Sequence, residues 1–220
     1  MKKITRLMVT AMAVCALFLG IFSTTSAQAS KANPVVVMET TMGRIIIMLS
    51  PKDAPKTVEN FLRYVEDGYY NNTVFHRVII EKKKTNDEKD TSMNIVQGGG
   101  YTFPLRLKPT RAPIVNEAGR SLQNKRGTIS MARTDNPDSA TSQFFFNVQD
   151  NPVLDQKSSG SQTGAALFSS TTKPGYCAFG KVIRGMDVVD KIQQVKTARS
   201  GRMEDVPATP IYIKKAYVAK

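Results

Sequence analysis

The chain offers few groups for covalent chemistry. His76 is the one histidine among 220 residues, and Cys15 and Cys177 are the two cysteines. Nucleophilic catalysis needs a nucleophile, a base and a group that orients the base, and that supply is thin here. Cys177 lies in the apolar run "GYCAFGKV", where cysteine usually acts as a small buried hydrophobe. Neither "GTIS" nor "ATSQ" has the form of a nucleophile elbow. One histidine does not build a zinc site of the usual kind. "QGGG", from Gln97 to Gly100, lacks the lysine that follows in a phosphate-binding loop. The sequence therefore predicts no metal and no cofactor, and it weakens hydrolase, metalloenzyme and kinase readings alike.

What remains is the segment "TVFHRVII", which sets His76 beside Arg77 in a strand-like run. Alternate residues of a strand face opposite sides. Val74, His76, Val78 and Ile80 would then share one face, and Phe75, Arg77 and Ile79 the other. Periodicity does not say which face lines a pocket.

The elements that must position these residues are mostly strands. Val35–Met38 and Arg44–Leu49 flank "ETTMG" and read as a hairpin with Gly43 in its turn. In "DAPKTVENFLRYVEDG", Val58, Phe61, Leu62 and Val65 recur on one helical face. Pro55 suits the first turn, Glu59 and Arg63 pair along the helix, and Gly68 ends it. Short apolar runs follow at Val74–Ile80, Met93–Gln97, Thr128–Ala132, Phe144–Val148, Cys177–Ile183 and Ile211–Val218, with a second short helix in "GMDVVDKIQQV". The helices do not alternate with the strands, which argues for an antiparallel barrel or sandwich closed by helices. Two segments read as inserted surface loops: the charged stretch Glu81–Ser92 and the Ser/Thr/Gly-rich stretch Gln156–Pro174.

The first 29 residues have a signal-peptide layout. Lys2, Lys3 and Arg6 precede an apolar run, and Ala27-Gln28-Ala29 forms a small-residue cleavage site. That run is short for a membrane span and polar residues follow it, so no lasting membrane anchor is expected. Residues 30–220 then form one domain, with Cys177 as the single thiol and no internal disulfide. The mature chain carries 28 basic and 18 acidic side chains, a net charge of +10. The basic residues are scattered, with no basic helix and no interleaved aromatics, so solubility explains the charge better than nucleic-acid binding.

Several motifs in order resemble the cyclophilins: "PKTVENF", "FHRVI", "QGGG", "RGTISMAR", "SATSQFFFNVQDNPVLD" and "FGKVIRGMDVVDKI". The resemblance runs from about Val35 to Val218 and looks nearest to the bacterial exported branch. It implies a mainly β fold, a closed eight-stranded antiparallel barrel capped by two α-helices, and peptidyl-prolyl cis-trans isomerase activity. Matched position by position, it implies catalytic roles for Arg77 and Gln97. The implied substrate-binding residues are Ile95, Ala132, Arg133, Gln143, Phe145, Leu154 and Tyr176. His76 becomes a locally bonded residue on the opposite face. The expected partners are proline-containing stretches of unfolded exported proteins, met by a monomer in the periplasm, with secretion as the alternative.

The chemistry agrees with that resemblance. Rotation about an X-Pro bond breaks no bond and needs no nucleophile, metal or cofactor. Its barrier of about 18–20 kcal/mol comes from amide resonance. A permanently charged guanidinium can donate to the proline nitrogen as the twisting amide becomes pyramidal.

Two departures from the family pattern affect the groove. An insertion of about a dozen residues separates Arg77 from Gln97, and Asn94 falls where an aromatic is usual. Val153 stands where relatives carry tryptophan or phenylalanine. Thinner apolar walls keep open a second reading, a proline-groove binding module or chaperone with reduced turnover.

Overall fold

The computed structural model describes residues 32–81, 92–156 and 174–219. The expected signal peptide and the interiors of both inserted loops lie outside the described residues.

The first hairpin joins β1 (Val35–Thr40) to β2 (Gly43–Leu49). Helix α1 (Pro55–Glu66) follows, then β3 (Thr73–Phe75), β4 (Arg77–Ile80) and β5 (Asn94–Gly98). Two-residue strands β6 (Tyr101–Thr102) and β7 (Arg106–Leu107) lead to β8 (Thr128–Met131), β9 (Phe144–Asn147) and β10 (Ala178–Arg184). The chain ends through α2 (Met186–Gln193), β11 (Thr197–Ser200), β12 (Met203–Pro207) and β13 (Ile211–Val218).

The strands pair antiparallel in the order β4-β5-β9-β8-β10-β2-β1-β13-β3, with β6 and β7 beyond β3. β3 and β4 are one strand interrupted at His76, whose backbone N–H donates to the Gln97 carbonyl at 3.1 Å. The sheet therefore curls back on itself, and counting β3 with β4 gives the expected eight-stranded barrel. Closure leaves no long unpaired edge in the ring.

The interruption overturns the simple alternation expected across Val74–Ile80. Phe75 and Val78 both enter the central core, whereas Ile79 belongs to a separate apolar cluster on the barrel's outer surface. The irregular residue His76 shifts the phase by one, so Phe75 does not share a face with Arg77.

The barrel interior is filled by Phe75, Phe144, Phe146 and Phe179 with the aliphatics of β1 and β2. Helix α1 presses Phe61 into it, 5.0 Å from the Phe179 ring centre and 5.8 Å from Phe144. Val58 and Val65 are buried beside it, and Leu62 packs at the edge. No local side chain caps α1. The carboxylate of Glu117, distant in sequence, accepts from the backbone N–H groups of Lys56 and Thr57 and from the Thr57 hydroxyl. An anion there satisfies free donors and suits the helix dipole. Before α2, Gly185 has φ +84°, and a Cβ there would lie 2.1 Å from the Arg44 carbonyl oxygen, so only glycine fits.

The β11–β12 hairpin had no signal in the sequence. "TARSGRMEDVP" carries no apolar alternation, because this ribbon pairs as a separate two-stranded sheet and leaves most of its side chains exposed or half-buried.

Candidate active site

Three neighbouring strands set one row of side chains across the barrel's outer surface. Arg77 on β4 is registered with Gln97 on β5, and Gln97 with Phe145 on β9. The next row in that direction, Val78–Val96–Phe146, points into the core. The row after it, Ile79–Ile95, returns to the outer face. The period of two thus explains why "QFFFN" sends Phe144 and Phe146 inward and Phe145 outward.

Ile79, Ile95, Phe145 and Leu154 form a buried cluster, with Met93, Ala132, Val153 and Tyr176 packed against it. Over it opens a pocket of about 110 Å³ lined by Arg77, Met93, Ile95, Gln97, Ala132, Arg133, Phe145, Leu154 and Tyr176. Every site residue expected from the sequence lines it except Gln143, which stands directly behind. The Gln97 amide donates to the Gln143 side-chain oxygen at 3.0 Å. Gln143 lies so close to the backbone that a Cβ on Gly100 would fall 2.5 Å from its Cγ, which accounts for glycine there. A roomier cavity of about 340 Å³ opens between Phe103–Leu105 and the β11–β12 ribbon, but it contains neither Arg77 nor Gln97.

The two arginines of the pocket differ in what holds them. Arg133 donates to the carbonyls of Thr134, Pro174 and Gly175 and stacks over Tyr176, 4.4 Å from the ring centre. It is a strut for the rim. The Arg77 guanidinium makes no hydrogen bond to protein among the described residues. Its single close charged neighbour there is Asp205, with Nε to Oδ2 at 3.9 Å. Arg77 is therefore the pocket arginine whose side-chain N–H groups have no hydrogen-bond acceptor among the described residues.

Tyr176 meets Phe145 edge-on at 5.6 Å. Its position and that of Leu154 depend on Asn124, whose Nδ2 donates to the carbonyls of Leu154 (3.2 Å) and Tyr176 (3.1 Å) and to the Asp155 carboxylate. Asn124 Oδ1 accepts from the Ser130 hydroxyl at 2.7 Å. Asn147 donates to Ser130 and Thr128, and Asn151 donates to Asn147 and to the Asn94 carbonyl. This buried chain of amides supports the pocket wall from below.

Asn94 belongs to that chain rather than to the wall. It is buried, donates to Gln149 and accepts from the Glu81 backbone N–H. Met93 supplies the apolar surface instead. Sequence reasoning missed Met93, although it lies two residues before Ile95 and four before Gln97, so strand alternation along this run was the signal that could have found it. Val153 packs at the edge of the cluster and lines the adjoining depression. The wall is thus less depleted than the two lost aromatics suggest.

His76 is 2% exposed and rests against Tyr101, with ring centres 4.6 Å apart. Burial lowers its pKa from 6.5 to about 4, with the Val74 carbonyl and the Gln143 side chain acting the other way. Its Nδ1 is buried without a hydrogen-bond partner among the described residues. It does not line the pocket, but it lies behind Gln143 rather than on a remote face.

The site is thus a small apolar pocket on the outer face of a closed barrel, with Arg77 at its rim and Gln97 beside it. The chain belongs to the cyclophilin-type peptidyl-prolyl cis-trans isomerase family, whose model matches residues 35–218. Peptidyl-prolyl cis-trans isomerase A of Dickeya dadantii is 41% identical over 219 residues, covering all of this chain and 98% of that one. Peptidyl-prolyl cis-trans isomerase B of Escherichia coli K12 is 42% identical over 186 residues, 84% of this chain and all of that one. Among solved structures, a Cryptosporidium parvum cyclophilin type peptidyl-prolyl cis-trans isomerase matches with a TM-score of 0.61 and 24% identity, covering 86% of this chain and 98% of that one.

Proposed function

We propose that Arg77 is the donor that drives X-Pro rotation in this isomerase. The observation that carries the reading is the contrast between Arg133, tied to three carbonyls, and Arg77, free above the apolar pocket. The proline ring seats on Phe145, Ile95, Leu154 and Met93. Gln97, held by Gln143, presents its remaining polar atoms to the substrate backbone. As the amide twists, resonance is lost and a lone pair develops on the proline nitrogen. The guanidinium then donates to a group that is a poor acceptor in the planar ground state, so it favours the transition state over the substrate. A hundredfold acceleration needs about 2.7 kcal/mol, within reach of one charged hydrogen bond in a dry pocket.

A solved Cryptosporidium cyclophilin in the presence of the dipeptide Ala-Pro supports proline-containing chains as the ligand class. The basic n-region, apolar run and Ala27-Gln28-Ala29 site support export to the periplasm and a role in folding exported proteins.

The test of the site is the isomerisation rate of a short X-Pro peptide with wild type and Arg77→Ala. Near-wild-type turnover in the variant would remove Arg77 from the role. The test of export is the mass of the protein recovered from the periplasmic fraction. A chain starting at Ser30 is expected, and an uncut chain confined to the cytoplasm would overturn it.

A further inference from the structure

Asp205 occupies an unusual place on β12. Its φ is +58°, a left-handed conformation inside an otherwise extended strand. Ala198 pairs with Val206 and Ser200 with Met203, so Glu204 and Asp205 together oppose Arg199. That is a β-bulge, and bulges beside active sites re-aim side chains. Side chains other than glycine avoid this region, with aspartate and asparagine the most tolerant. The Asp205 carboxylate stands 3.9 Å from Arg77 Nε.

Stability does not account for the arrangement. The side chains of Arg77 and Asp205 are 45% and 43% exposed, and pairs so exposed to solvent add little to folding. The separation also exceeds hydrogen-bond length. The carboxylate thus attracts the Nε edge of the guanidinium without capturing the terminal amino groups, which stay free to donate.

We propose that Asp205 is a positioning residue for Arg77: the bulged, left-handed aspartate on β12 holds the guanidinium by its Nε edge and keeps its terminal N–H groups turned to the proline pocket. This rests on Arg77 being the catalytic donor. The loss of the carboxylate leaves proline binding intact but spreads Arg77 over more rotamers, so the effect falls on kcat rather than KM.

The experiment compares X-Pro peptide isomerisation by wild type, Asp205→Asn, Asp205→Gly and Arg77→Ala over a salt series. Asparagine and glycine both tolerate the left-handed backbone, so the bulge is kept while the charge is removed. Both variants should lose kcat about three- to tenfold, the scale of a coupling between neighbouring side chains, with KM nearly constant. The wild-type kcat should fall toward theirs as the Debye length shrinks from about 30 Å at 0.01 M to about 3 Å at 1 M, and theirs should stay flat. The wild-type salt series stands even if a variant fails to fold. Wild-type kcat at low salt in Asp205→Asn, or a wild-type kcat indifferent to salt, overturns the proposal. If Arg77→Ala also keeps full turnover, the donor assignment falls and this role falls with it. If only the Asp205 variants do, the donor stands and Asp205 alone is dismissed.

Discussion

Arg77, Arg133 and Arg126 are three guanidiniums with three employments. Arg126 is spent on Asp190, Arg133 on carbonyls of the rim, and Arg77 is left without a hydrogen bond among the described residues. Arg77→Ala should therefore cut kcat/KM for an X-Pro peptide by about a hundredfold or more, the worth of a charged hydrogen bond made in the transition state. Its melting temperature should stay close to that of wild type, since the side chain is exposed. His76→Gln should cost far less turnover, because the imidazole does not line the pocket; an equal loss would return the histidine to the mechanism. Val153 makes a second residue-scale prediction. In the resembled family a tryptophan there offers a flat wall and an indole donor to cyclosporin-type inhibitors. Valine provides neither, so wild type should bind such cyclic peptides weakly. Val153→Trp should tighten binding by about tenfold or more, read by inhibitor titration in the same peptide assay. No tightening would show that this wall is not part of the inhibitor's footprint.

At the scale of elements, the pocket depends on how two irregular segments are fastened to the barrel. The segment carrying Leu154 and the one carrying Tyr176 meet through the Tyr176 N–H to Leu154 carbonyl bond and through Asn124. Asn124→Ala would leave the Ser130 hydroxyl without its acceptor and the Tyr176 carbonyl without its donor, while the Leu154 carbonyl keeps the Tyr176 N–H. A loss of about 2–4 kcal/mol is expected, with KM for the peptide rising more than kcat falls. Thermal melts and steady-state kinetics check it, and an unchanged KM would show that the wall is set by packing alone. The β4–β5 connection behaves differently. Its ends are already joined, because Glu81 N–H donates to Asn94 and Met93 N–H donates to the Glu81 carboxylate, each at 2.8 Å. Deleting Lys82–Thr91 should thus leave the fold and its melting temperature nearly unchanged. Unfolding of the deletion variant would show that the segment belongs to the body.

At the scale of the molecule, the barrel holds its one imidazole neutral. The His76 pKa is lowered from 6.5 to about 4 in the fold, so between those values the unfolded chain binds the extra proton. The contribution of the neutral, buried ring is fully present above about pH 6.5 and is lost as pH falls through about 4. Each unit of difference is worth about 1.4 kcal/mol, so the ceiling is a few kcal/mol. Denaturant midpoints should drop between pH 6.5 and 4 in wild type and flatten there in His76→Gln; parallel curves would place the acid sensitivity elsewhere. Cys177 makes the complementary case. Burial pushes its thiol up to about 11, against the Thr57 hydroxyl that lies 3.4 Å away. The thiol should resist alkylation in the folded protein, and reductant should not change the melting temperature.

The residues gathered at the small apolar pocket were legible in the sequence because they sit at motif positions. "FHRVI", "SQFFFN" and "NPVLD" name Arg77, Gln143, Phe145 and Leu154 before any coordinates are seen. The helices were legible because α1 and α2 each show one apolar face, and the hairpin of β1 and β2 because its β-branched runs flank a glycine turn. Tertiary structure decided the rest. Which strand face lined the groove depended on the irregular backbone at His76, and local periodicity carries no record of such a phase shift. Met93 shares the pocket face with Ile95 and Gln97, whereas Asn94 points the other way, into a buried amide chain whose members come from four separate segments. Arg77 and Arg133 look equivalent as letters. They differ because three carbonyls that converge only on folding reach one and not the other. Asp205 was invisible for the same reason: the polar hairpin that carries it has no apolar pattern, and its meeting with Arg77 spans most of the chain. Sequence determines what short-range sterics and apolar periodicity can encode. Contacts between polar groups far apart in the chain appear only when packing brings them together.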